Sequence, residues 1–470
     1  MSFSEISLNQ DLLAKTKSWT NQHFEQAIQK LGELVKIPGI AWPSFDQSEL
    51  ERSAKAVASE LKALEFFDFV DVRRSKKPSG ENGAPAVLAR RAAGEGAPHV
   101  LLYAHHDVQP PGERQLWESE PFEVLRRGDR LYGRGAADDK AGIITHIYSL
   151  RGLKELAENL RIGVTVFIEG EEEAGSESFQ NFLADNLNDL KADLIVVADS
   201  GNWSKDVPAL TTSLRGVVSQ TFTVRTLDHA LHSGMYGGPL PDAMSAMIKL
   251  LATLLNDQGD VAIAGLKSDK TAGPDVSLEE LAKESGLLAG VERIGSKPIT
   301  QQIWGEPAVT VIGLDFPSVA VSSNTAQPAV TARVSLRLAP SEDPARGLQL
   351  FRDHLTSHAP FGAKIEFGHF EQGPGYFAKN GWASKLTHEI LSAVWPQPSV
   401  DIGVGGSIPF ISHFAQAFPE AEILVTGVED PDSRAHSPNE SQHLPTLERA
   451  IQAETLLLLH GNLMSKKELN

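Results

Sequence analysis

Histidine and carboxylate residues recur in this chain just past apolar, strand-like runs, and these are the side chains that hold divalent cations in hydrolases. They occur in LLYAHHDVQP (101–110), GRGAADDKAG (133–142), VFIEGEEEAGS (166–176) and LIVVADSGN (194–202). A late histidine lies beyond EILVTG, in RAHSPNE (434–440). In an open α/β sheet, ligands bind in the crevice outside the carboxyl ends of the strands. Repeated delivery of such donors to that edge predicts a two-metal hydrolase site.

Each cluster also has a plainer reading. In His105-His106-Asp107, residues 105 and 107 leave a buried strand on the same side. Asp107 could accept a hydrogen bond from the imidazole nitrogen of His105 that does not face a metal, or the two could be a simple loop pair. His106 offers a competing ligand. Asp138-Asp139 could cap the helix that follows, or one carboxylate could bridge two cations and offset their repulsion. Glu171-Glu172-Glu173 repel one another unless cations or solvent intervene. One of them could ligate while a neighbour acts as general base. Asp199, after the apolar LIVVA, is either a solvated loop acid or a fourth strand-end donor.

Composition narrows the chemistry. Cysteine is absent from all 470 residues, which excludes thiolate metal sites, disulfides and cysteine nucleophiles. Any transition metal must rest on His and carboxylate, a set suited to Zn²⁺, Mn²⁺ or Co²⁺. Asp and Glu number 61 against 43 Lys and Arg, a net charge of −18. That balance argues against nucleic acid or an anionic membrane as partner. The first residues lack the pattern of a signal peptide, and no apolar run is long enough to span a bilayer. The expected location is the cytoplasm.

The elements that must position these residues read as α/β. Amphipathic helices are predicted over 23–37, ending at Pro38, and over 48–66 with Ser48 as cap. Apolar strands are predicted at 85–91, 99–104, 163–169 and 193–198, alternating with helices from Asp139 and over 176–187, hence a mostly parallel, helix-covered sheet. From about residue 213 the texture changes. Strands alternate (217–226, 329–340, 363–370), helices fall near 241–256 and 344–359, and 257–300 reads as a loop-heavy insertion. The first style returns with a helix at 380–395, a glycine turn at 403–406, the strand 422–427 and a helix at 446–462. The expected organisation is a catalytic domain of residues 1–212 and 379–470, with an inserted α+β lid or dimerisation domain at 213–378.

HHDVQP, LYGRGAADDK, EGEEEAGS, HSGMYGG, GGSIP and AHSPNE follow one another over roughly residues 100–440. In this ordered set the chain resembles the dinuclear-metal aminoacyl hydrolases. These include carnosine-type dipeptidases, glutamate carboxypeptidase, aminoacylase, acetylornithine deacetylase and succinyl-diaminopimelate desuccinylase. HxDVQP and GGSIP are most similar to the dipeptidase branch. The resemblance implies that His105 and Asp199 hold one divalent metal, that Glu173 and His436 hold the other, and that Asp138 bridges both. It implies Asp107 orienting His105, Glu172 as general base and a cis peptide at Asp138–Asp139. It further implies that His232, from the inserted domain, reaches the site of a second copy in a homodimer. Arg337 would grip the substrate carboxylate, with Arg333 on the same face as the alternative, beside the anion-binding turn Gly405-Gly406-Ser407. Ala137 and Ala141 depart from the usual residues, but neither removes a ligand. The activity implied is dipeptide hydrolysis. A deacylase or desuccinylase of N-acyl amino acids is the alternative within enzymes. A non-catalytic amino-acid-binding relative and a metal-free dimerisation protein are the alternatives outside them.

Overall fold

The computed structural model describes residues 8–406 and 408–468. The chain divides into two units. One comprises 1–211, 378–401 and 413–470, and the other comprises 212–377 and 402–412. Residues 402–412, expected with the first unit, group with the second. The reason is local: the Arg215 N–H donates to the Val404 carbonyl at 3.2 Å, and Gly403 lies against Trp304 and Ser213 with no room for a side chain.

The first unit is built on a six-stranded sheet. Its order is Phe69–Arg73, Ala86–Arg91, Gly163–Glu169, His99–His105, Leu194–Val197, Glu422–Val425. The last four are mutually parallel, and the first two run antiparallel at one edge. His99–His105 and Gly163–Glu169 are buried along their whole length. Continuous apolar runs of this kind suit parallel strands covered on both faces. Helices Lys140–Leu156 and Leu444–Leu463 pack into the same core, through Ile144, Ile147, Leu447 and Leu458.

Two helices begin elsewhere than the sequence pattern predicts. The first is Gln10–Val35, started by Asn9, whose side chain accepts from the Asp11 and Leu12 N–H groups. Its early turns are polar enough to hide the apolar stripe. The second, Gln47–Ala63, is capped by Asp46 rather than Ser48, because the Asp46 carboxylate accepts the Ser48 N–H at 2.9 Å.

The second unit has an antiparallel sheet in the order Ala308–Asp315, Ala329–Leu338, Gly216–Arg225, Lys364–Gly373. Alternate residues of its central strands (Val218, Phe222, Val224, Val334, Leu336) are buried against Met247, Leu250 and Phe351. Those residues come from helices Ala243–Ala252 and Pro344–Ser357. The opposite positions carry Ser219, Arg333 and Arg337. The loop-rich stretch from 257 holds two short helices, Leu278–Ser285 and Ile299–Trp304.

His99 opens the central strand at 5 % exposure. Its Nε2 lies 2.9 Å from the Thr165 hydroxyl. Burial, and then the charge of Arg90, lower its pKa from 6.5 to about 4. The unfolded chain therefore takes up this proton first, so stability falls as pH drops from 6.5 towards 4, by about 3 kcal/mol at most. Urea midpoints of the wild type and His99→Gln, measured from pH 7 to 4.5, should show a shallower acid loss in the variant. Parallel pH profiles would contradict this account.

Candidate metal centre

The parallel strands carry their donors to one edge. His105 ends its strand, paired in register with Glu169. Glu172 and Glu173 follow that glutamate, and Asp199 follows Leu194–Val197 on the other flank. Asp138 lies in the turn before the helix Lys140–Leu156, and its peptide bond to Asp139 is cis. His436 comes from the loop after Glu422–Val425, at φ +62°. That is a left-handed conformation uncommon for a residue with a side chain.

Asp138 joins the group. Its Oδ1 lies 3.0 Å from His105 Nε2, and its Oδ2 lies 2.9 Å from His436 Nε2. His436 Nε2 is also 3.2 Å from Glu173 Oε2, and Asp199 Oδ1 is 3.9 Å from His105 Nε2. The side chains form two sets, His105–Glu172–Asp199 and Asp138–Glu173–His436, with ligand atoms inside each set within 4.8 Å of one another. Four carboxylates and two imidazoles, with one carboxylate reaching both imidazoles, are a donor set fitted to a pair of divalent cations.

The electrostatics favour cations there. Burial, reinforced by the Asp138 and Glu173 charges, pushes Asp199 up to about 7. Burial likewise raises Glu172, with the Asp199 and Asp107 charges adding to it. Contacts with Asp138 and Glu173 raise His436 to about 11. Burial opposes ionisation of Asp138 as well, but the two imidazoles hold its carboxyl below the usual range. Crowded buried carboxylates of this kind are stabilised by positive charge between them.

The structure separates the neighbours that the sequence left equivalent. His106 points away, its Nε2 donating to the Pro85 carbonyl at 2.7 Å. Asp139 caps the helix, accepting the Gly142 N–H at 3.1 Å. Lys140 turns inward and donates to the Leu34 and Ile37 carbonyls at 2.9 and 2.7 Å. Glu171 accepts the Ala84 and Ser178 N–H groups and faces away from the donors. Asp107 lies against both His105 and the acidic turn. His105 Nδ1 is closer to the Asp107 backbone carbonyl, at 3.1 Å, than to its carboxylate, at 3.5 Å. The carboxylate also accepts the Glu172 and Glu173 N–H groups, each at 3.1 Å. It thereby ties the acidic turn to the histidine strand.

His232 and Arg337 belong to the second unit, as do Gly405 and Gly406. Ser407 lies outside the described residues. Arg333 is engaged by the Ser219 hydroxyl and by Glu371 at 3.0 and 2.7 Å, whereas Arg337 takes part in no ion pair among the described residues.

Glu440 escaped the sequence reading, although it ends the same RAHSPNE segment as His436. Its fully buried carboxylate accepts the N–H groups of Gly135, Ala137 and Asp138 at 3.0, 2.9 and 3.1 Å and pairs with Arg134 at 2.6 Å. It moulds the turn that presents Asp138. Gln109 was also missed, and its amide donates to Glu173 Oε2 at 2.7 Å.

With this geometry, similarity to known proteins becomes informative. The model of peptidase family M20/M25/M40 matches residues 101–460. The chain belongs to this family. It is 32% identical over 448 residues to the cysteinylglycine-S-conjugate dipeptidase of Corynebacterium striatum, across 93% of this chain and 95% of that protein. It is 26% identical over 458 residues to the beta-Ala-His dipeptidase of Rattus norvegicus, across 91% of each. The solved structure of human carnosine dipeptidase 1 shares the fold, with a TM-score of 0.75 at 22% identity over 96% of this chain and 99% of that one. The M20 chain is thus a metallopeptidase, and the α/β fold class expected from its sequence stands.

Replacing Glu440 by Ala would strip three N–H groups of their acceptor and leave the buried Arg134 guanidinium unpaired. Breaking a buried pair in this way costs about 3–5 kcal/mol. Urea unfolding of the variant should show a loss of that order, together with weaker metal retention on dialysis. A loss under about 1 kcal/mol would mean that water replaces the carboxylate.

Proposed function

We propose that this M20 peptidase is a homodimeric, two-metal dipeptidase that hydrolyses the amide bond of dipeptides bearing a free carboxylate. The reading is carried by the two adjoining donor sets, each within 4.8 Å. The dipeptidase names of the relatives favour dipeptides over N-acyl amino acids as substrates. The donors suit zinc, with manganese or cobalt as alternatives. His105 and Asp199 would hold one ion and Glu173 and His436 the other, with an oxygen of Asp138 for each. When bound, the ions polarise the scissile carbonyl and lower the pKa of the attacking water.

Glu172 takes one proton from that water as the oxygen bonds to the carbonyl carbon. It then delivers the proton to the leaving nitrogen as the C–N bond breaks, so one product gains hydroxyl and the other gains hydrogen. Arg337 would hold the substrate carboxylate by a bidentate pair, beside the N–H groups of the Gly405-Gly406 turn. His232 Nδ1 accepts the Gly234 N–H at 3.1 Å, which leaves the proton of the neutral ring on Nε2. That donor suits the developing oxyanion, and His232 of the partner subunit would provide it. Met235, at 74 % exposure, with Tyr236 and Leu240, follows this histidine, and Val311, Ile312 and Leu314 are exposed on an edge strand of the same unit. Exposed apolar side chains in such number favour a subunit contact. Among the described residues no helix is long and apolar enough to cross a membrane. A cysteine-free chain of net charge −18 agrees with a cytoplasmic enzyme that binds neither nucleic acid nor anionic lipid.

Glu172→Ala should lower kcat by about 10²–10⁴-fold while elemental analysis still finds two metal ions per chain. Retained turnover at full metal content would reject the general-base role. A rate panel of dipeptides against N-acetyl and N-succinyl amino acids tests the substrate class, and faster deacylation would overturn it. Chelation should abolish turnover, and His232→Ala should do nearly the same without disturbing the dimer in sedimentation. An active, proven monomer would sink the exchange of His232.

A further inference from the structure

Arg215 is only 8 % exposed, and among the described residues it has no carboxylate partner. Its guanidinium instead gathers backbone carbonyls. Nε donates to Gly405 at 3.0 Å, and Nη1 donates to Gln302 and Glu306 at 3.3 Å each. The Gly405 carbonyl belongs to the glycine turn, and the other two belong to the Ile299–Trp304 helix and the residues just after it. A Cβ on Gly405 would stand 3.0 Å from Arg215 Nη2 and 3.1 Å from Ile303, so the turn is pressed against this clamp.

The surroundings make the charge unusual. Arg337 pairs in register with Val217 on one side and Ala308 on the other, two residues beyond Arg215 and Glu306 respectively. The two arginines repel, and burial together with Arg337 lowers the Arg215 pKa to about 10. A buried guanidinium normally has a carboxylate beside it, because carbonyl dipoles alone do not neutralise it. In a chain of net charge −18, acids are not scarce, yet among the described residues none pairs with either Arg215 or Arg337. The neighbouring Arg333, by contrast, has Glu371 at 2.7 Å.

We propose that Arg215 is a positioning residue for the substrate's C-terminal carboxylate. It fixes the Gly405 turn on the Ile299–Trp304 helix and adds a second positive charge behind Arg337. The incoming carboxylate then supplies the counter-charge that the chain withholds. The proposal rests on the dipeptidase reading and adds a determinant of specificity to it: the enzyme rejects peptides with a blocked C-terminus because two neighbouring cations, the buried Arg215 and the half-buried Arg337, would stay uncompensated. It also gives the loop-rich 257–306 stretch a task, since that stretch braces the turn.

The test compares a dipeptide with its C-terminal amide, using metal-loaded wild type, Arg215→Lys and Arg215→Gln. For Arg215→Gln, KM for the free acid should rise about tenfold or more, with kcat within about threefold, and the preference for acid over amide should fall by a similar factor. Arg215→Lys, which keeps the charge but not the fork, should retain most of that preference. Thermal shifts induced by a non-hydrolysed dipeptide analogue and its amide give the same comparison without turnover. A clamp with no electrostatic part would lower stability or kcat in both variants and leave the acid-to-amide ratio at its wild-type value. That result overturns the proposal. A wild type that hydrolyses neither compound overturns the dipeptidase reading instead, and the thermal shifts then judge Arg215 alone.

Discussion

One carboxylate shared by two imidazoles organises the first unit. Asp138 reaches His105 with one oxygen and His436 with the other, at 3.0 and 2.9 Å. Those histidines come from segments more than 300 residues apart in the chain. An acid in that position must be both desolvated and tightly oriented. Both conditions are met by its turn, whose N–H groups are bound by buried Glu440. Glu440 lies four residues past His436, so a single late loop supplies a donor and shapes the segment that faces it. Carboxylates held this close repel, and the cost is offset only when cations lie between them.

A second level of fixation lies behind the donors. Asp107 binds the N–H groups of Glu172 and Glu173, and Gln109 holds the Glu173 carboxylate. Strand, acidic turn and helix start therefore act as one rigid frame in which few donor side chains choose their own rotamers freely. Such support behind the ligands is what gives metal sites their orientation and selectivity. The second unit follows the opposite policy. There Arg215 and Arg337 have no carboxylate partner among the described residues, so the charge beside the Gly405 turn is locally positive where the metal centre's is negative.

Much of this was legible in the sequence because parallel strands carry a clear signature. His99–His105, Gly163–Glu169 and Leu194–Val197 read as apolar runs ending in donors, and their parallel pairing lines those ends up. The helix from Gln10 was seen only from residue 23, since its first turns present too many polar residues for the apolar period to show. Ser48 lost the cap to Asp46 because both side chains satisfy the local rule and only the chain's entry angle decides between them. Residues 402–412 read as part of the last segment of the first unit, although the Arg215 clamp draws them to the second.

The sequence by itself determined the kinds of donor, the strand ends that carry them and the absence of any thiolate ligand, because period and composition are local properties. Only the tertiary structure decided which of three consecutive glutamates turns inward and which nitrogen of His105 faces Asp138. It also decided that Asp107 binds the backbone of the acidic turn, and that Glu440 shapes the Asp138 turn. Those outcomes depend on distances between segments far apart in the chain. Such distances follow from how helices and sheet pack together, and spacing along the polypeptide does not encode them residue by residue.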